Sequence, residues 1–149
     1  MRTVLMALIV ASFAASAARA DPAAEVRAVY GRFVAAQNAH DLASVRSVLL
    51  DSPQFLWVSD GRSVWGREDT LARMAQFQQA PVWRVEPDLG AAVAVPLSAD
   101  TAYLHLPLTL VIGAEPMPDR LRFLVSVLGV ATSQGWRIAA LFTTTQKLP

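Results

Sequence analysis

From Pro22 the apolar positions fall at helical spacing, with Val26, Val29, Tyr30, Phe33 and Val34 along one stripe that runs on to Gln37. Pro22 suits a first helical turn, and the pattern predicts that this helix stops between Asn38 and His40. Asp41 is then a ready N-cap for a short second helix, Leu42 to Leu50, which buries Leu42, Val45, Val48 and Leu49 and ends before Pro53. Two short strands follow, Phe55 to Ser59 and Arg62 to Trp65, joined by Asp60-Gly61, a pair that favours a tight hairpin turn. Gly66 opens a third helix, Arg67 to Gln78, with Glu68 and Asp69 in the first turn, where the helix dipole favours acids. The rest reads as strands: Val82 to Pro87, Ala91 to Pro96, Thr101 to Ile112, Leu121 to Thr132 and Gly135 to Thr144.

The strand from Thr101 has two unlike faces. Leu104, Leu106, Leu108, Leu110 and Ile112 share one, and Tyr103, His105, Pro107 and Thr109 share the other. Pro107 cannot donate to a sheet ladder, so it predicts an edge or a bulge that bends the strand.

The first twenty residues follow another rule. Arg2 precedes an apolar run from Val4 to Ala18, broken only by Ser12 and Ser16, and Ala18 and Ala20 flank Arg19. These are the parts of an export signal, and the run is short for a membrane span of about 20 residues, so cleavage after Ala20 is expected. The mature domain would be residues 21–149, in the periplasm or secreted, with no remaining membrane anchor. Removing Arg2 and Arg19 leaves eleven Lys and Arg against twelve Asp and Glu, so the formal charge of +1 becomes −1. With no basic run, nothing marks a nucleic-acid partner. The chain has no cysteine, which removes disulfides, thiolate ligation and a thiol nucleophile from consideration.

Three phrases resemble the nuclear transport factor 2-like superfamily, with its SnoaL-like and ketosteroid-isomerase-like members. They are Phe33 to Leu42 (FVAAQNAHDL), Val64 to Asp69 (VWGRED) and Gly135 to Ile138 (GWRI). The resemblance implies an α+β cone: three N-terminal helices and a short hairpin packed on a strongly curved antiparallel sheet. It also implies a pocket between the helices and the concave face, which enzymes and non-enzymes of the fold share. In the register of the first phrase, the ketosteroid-isomerase tyrosine falls at Phe33 and, carried forward, the carboxylate base at Trp57. Neither residue can do that chemistry.

The remaining candidates leave three readings open. An aromatic pocket for a small apolar molecule would draw on Tyr30, Trp57, Trp65, Trp83, His105 and Phe123. A cofactor-independent isomerase or hydratase would use Asp60, His105 or Tyr30 as acid or base. The third reading is a homodimer formed through the outer face of the sheet. Asp60 is also a natural turn residue, His105 also suits the outer sheet face, and Trp136 reads as core. Glu86 and Asp88, astride Pro87, read as solvated loop, and the serines lack a nucleophile elbow. The two histidines are far apart with no carboxylate cluster, so no metal is implied, and no phosphate loop or dinucleotide fingerprint implies a cofactor.

Overall fold

A computed structural model describes residues 21–147; the expected export signal, residues 1–20, lies outside the described residues. Helix α1 runs Pro22–Asn38, with Asp21 as its cap accepting from the Ala23 N–H at 3.0 Å. Its buried face is Val26, Val29, Tyr30, Phe33, Ala36 and Gln37. The turn after it puts His40 in the left-handed region at φ 55°, and the Asp41 N–H returns to the Ala36 carbonyl. Helix α2, Leu42–Val48, is capped by Asp41, whose carboxylate accepts from the Ser44 N–H at 3.0 Å. It is two residues shorter than its apolar pattern suggests. The reason is competition for backbone: Leu49 turns extended and bridges Ile138 in parallel, and the Leu50 N–H donates to the Ile138 carbonyl at 2.7 Å.

Strands β1, Leu56–Ser59, and β2, Arg62–Trp65, form the expected hairpin. Asp60 (φ 53°) and Gly61 (φ 67°) are both left-handed, as a type I′ turn requires. Helix α3, Arg67–Phe77, starts from Gly66 at φ 86°. It is followed by β3 (Val82–Pro87), β4 (Val93–Pro96), β5 (Thr101–Gly113), β6 (Asp119–Thr132) and β7 (Gly135–Thr145). These form one sheet in the order β2-β1-β7-β6-β5-β3, with β4 also pairing to β5. The sheet is mixed rather than wholly antiparallel, because β1 lies parallel to β7.

Pro107 sits where its missing N–H costs nothing. β3 pairs with β5 up to Leu108 and β4 resumes the pairing at His105, so Pro107 faces the gap between them. Its carbonyl accepts from the Asp88 N–H at 2.9 Å. The expected bulge lies elsewhere, in the β6–β7 ladder, where Leu128 and Gly129 pair with Ala140 and Ile138 and Ala139 is extra. Gly129 is also where α1 comes closest: a Cβ there would stand 2.8 Å from Val26 Cγ2. Val26, Phe55, Leu104, Leu106, Val127, Trp136 and Ile138 belong to the core between the helices and the inner sheet face.

Candidate functional site

The inner stripe of β5 changes character along its length. Ala102, Leu104 and Leu106 are buried in the core, whereas Leu108, Leu110 and Ile112 are only partly buried and line an open cavity of about 900 Å³. The stripe continues where the packed core stops, and the space beyond it is left unfilled. Tyr30 and Phe33 of α1, Met74 and Phe77 of α3, and Trp57, Trp83, Val85, Phe123 and Leu141 of the sheet complete the walls.

Aromatic rings dominate these walls. Tyr30 stacks on Phe33 with centroids 6.0 Å apart, Trp57 meets Phe77 edge-on at 6.2 Å, and Phe77 stacks on Trp83 at 6.0 Å. The Arg73 guanidinium lies 5.5 Å from the Trp57 ring and 5.1 Å from the Phe77 ring. Its Nε is buried without a hydrogen-bond partner, and the ring faces give the cation its compensation. Two polar side chains lock the frame. Gln37, buried, donates to the Met74 sulfur at 3.0 Å and accepts from Gln78 Nε2 at 2.7 Å, tying α1 to α3. Asn38 accepts from the Val85 N–H at 2.7 Å and donates to the Val85 carbonyl at 2.9 Å, closing the free edge of β3 against α1.

Two ring-borne donors stand in the apolar wall, the Trp83 indole N–H, buried without a hydrogen-bond partner, and the Tyr30 hydroxyl. Tyr30 is 1% exposed. Burial pushes its pKa far above the ordinary tyrosine value, so the group is a protonated donor at neutral pH.

Four of the expected ligand residues, Tyr30, Trp57, Trp83 and Phe123, line the cavity together. Asp60 reaches only its rim, as an exposed turn residue. Trp65 and His105 do not line it. Trp65 is 57% exposed and pairs with Leu56, so strand alternation turns it to the face opposite Trp57. His105 shares the outer face with Tyr103, opposite the buried Leu104 and Leu106, and its Nδ1 lies 2.9 Å from the cross-strand Ser126 hydroxyl. Asp60, His105 and Tyr30 therefore do not converge on a point. Phe33 and Trp57 do face the cavity, at the positions where the resemblance would require a hydroxyl and a carboxylate. The sequence reading missed Phe77, Met74 and the outer half of the β5 stripe; the length of that stripe beyond what α1 covers was the available signal. Among the described residues no three His, Cys, Asp or Glu side chains gather as a metal site.

A family model for the SnoaL-like domain matches residues 26–141, from the first helix to the last strand. The chain belongs to the SnoaL-like domain family. Among curated proteins none matches this sequence. Of the solved structures, this SnoaL-like chain is similar to a protein from Streptomyces avermitilis described as a candidate dehydratase of the NTF2-like family. The TM-score is 0.74 at 15% identity, covering 85% of this chain and 96% of that one. It is similar to a Caulobacter vibrioides protein with a cystatin-like fold (TM-score 0.72, 16% identity, 85% and 90% covered). A ketosteroid isomerase-like protein from Erwinia carotovora atroseptica also matches (TM-score 0.68, 17% identity, 86% and 98% covered). At such identities these likenesses establish the fold alone.

Proposed function

We propose that the SnoaL-like cone binds a small apolar, ring-bearing molecule without acting as a ketosteroid isomerase. The observation that carries this reading is the open aromatic cavity of about 900 Å³, with two ring-borne donors among its wall residues, the Tyr30 hydroxyl and the Trp83 indole N–H, the latter buried without a partner. Stacked and edge-on rings offer flat surfaces to a ring system, and the Tyr30 hydroxyl donates to an acceptor oxygen on it. The cavity lacks the means for isomerisation: Phe33 cannot donate to an oxyanion and Trp57 cannot take a proton. The neighbour described as a candidate dehydratase keeps acid-base chemistry in view, but here Asp60 is the acid nearest the cavity and it lies at the rim.

Native mass spectrometry of protein purified from its own cells tests the proposal. A retained small molecule, displaced when Leu110→Arg fills the cavity in a folded variant, is the expected result. A clean apo mass, together with no quenching of Trp57 and Trp83 fluorescence by any of a panel of polycyclic ketones and phenols, would sink it. Tyr30→Phe is expected to weaken binding about 2- to 10-fold, the worth of one neutral hydrogen bond. Purified protein should leave a β,γ-unsaturated ketosteroid unconverted above the buffer rate. Export with loss of residues 1–20 belongs to the same proposal, and an intact mass beginning at Asp21 is its expected outcome.

A further inference from the structure

A second cleft, of about 470 Å³, lies between α2, the start of α3 and the β6–β7 turn. It sits at the end of the β6–β7 hairpin away from the cavity mouth and shares no wall residue with the cavity. Its walls carry three guanidinium groups, Arg46, Arg67 and Arg137, and one carboxylate, Asp51. Two of the three are engaged. Arg67 pairs with Asp51 at 3.1 Å and Glu68 at 3.2 Å, and Arg46 pairs with Glu68 through Nη1 alone. Among the described residues Arg137 meets no acid. Its hydrogen bond goes to the carbonyl of its own neighbour Trp136 at 3.0 Å, and its Nη1 would lie 3.6 Å from a Cβ at Gly135.

Three cations therefore face two anions, with the excess charge on Arg137. The turn beside it is held in shape from within: Thr132 Oγ1 donates to the Gly135 carbonyl at 2.7 Å and accepts from the Gln134 N–H at 3.1 Å. That leaves the Ser133 hydroxyl and the Gln134 amide without a partner among the described residues, next to the unmatched guanidinium.

We propose that this cleft binds a phosphate-type oxyanion, either free or as the phosphoryl end of a small phosphomonoester. The planar guanidinium of Arg137 offers paired N–H donors that match two oxygens of such a group. Arg46 Nη2 and the Ser133 hydroxyl add donors from the facing walls, while Arg67, held by its acids, contributes mainly field.

The test is calorimetric titration of the whole protein with inorganic phosphate and, separately, with ribose 5-phosphate, against potassium chloride at matched ionic strength. Saturable binding absent with chloride is expected. Arg137→Gln should weaken it at least 10-fold, whereas Arg122→Gln, at the cavity rim, should leave it unchanged. Equal affinity for the two probes assigns recognition to the phosphoryl group alone; preference for the ester assigns the rest of the cleft to its carbon skeleton. No heat beyond chloride with either probe overturns the proposal, as does a folded Arg137→Gln protein that binds like the parent. Should Arg137→Gln not fold, Arg137→Lys keeps the charge and loses the fork, and undiminished affinity in that variant overturns the proposal equally.

Discussion

Gly129 and Trp136 show how single residues set the geometry of the cone. A Cβ at Gly129 would press on Val26 Cγ2 at 2.8 Å and on Trp136 Cε3 at 3.4 Å, both in the core. Gly129→Ala is therefore expected to cost about 1 to 3 kcal/mol through overpacking. Trp136→Ala and Phe33→Ala, each removing a ring that is 7% exposed, should cost about 3 to 5 kcal/mol. Denaturant midpoints with unchanged slope measure all three, and a loss below about 1 kcal/mol at either ring would contradict the packing described. Tyr30 adds a pH signature. Its pKa is raised by burial, so the stability it contributes is complete below the unfolded value of about 10 and is lost as pH rises above it. Thermal melts of Tyr30→Phe should lack that part of the alkaline decline, and identical alkaline profiles would show that the hydroxyl is not buried in an apolar wall.

Among the elements, those written by local chemistry were legible in the sequence. Asp41 caps its helix, Asp60-Gly61 makes its turn, and β3 runs over the residues its pattern marks. What was not legible depends on partners far along the chain. Leu49 and Leu50 look helical in isolation, and only Ile138, almost ninety residues on, draws them straight. The parallel pairing of β1 with β7 and the bulge at Ala139 have the same non-local origin. In the candidate site, residue type groups Trp65 and His105 with Trp57 and Trp83, because it does not say which sheet face the helices cover. Asn38 has no signal beyond its place in the family phrase, yet it closes both backbone groups of Val85. Asn38→Ala is expected to speed amide exchange at Val85 and across β3 while leaving β6 and β7 protected. Unchanged β3 exchange would show that the edge is held by β5 alone.

The molecule as a whole has no cysteine, and packing and surface charge must hold it. Three surface carboxylates, Glu86 among them half-buried, lie below their ordinary pKa: Asp41 through the Ser44 hydroxyl, Glu68 through Arg46 and then Arg67, and Glu86 through Arg84 and then Arg120. Each contributes stability that is present above the ordinary carboxylate range of about 4 and is lost as pH falls through the depressed value. Melting temperature should hold steady down to that range and then drop. Added salt should shrink the part due to Glu68 and Glu86, because exposed ion pairs are screened. A drop that begins well above the carboxylate range would contradict this assignment. The proline that parts β3 from β4 matters at this scale too. One border of the sheet is split into a strand of six residues and one of four, ending at Pro87 and Pro96, and the other border is the four-residue β2. Neither border presents a long, unbroken row of free amides on which a second chain could lay a strand. A protein with no covalent staple to slow its unfolding thus carries its own resistance to fibril-like association, built from the residue that at first sight weakens its longest leucine strand.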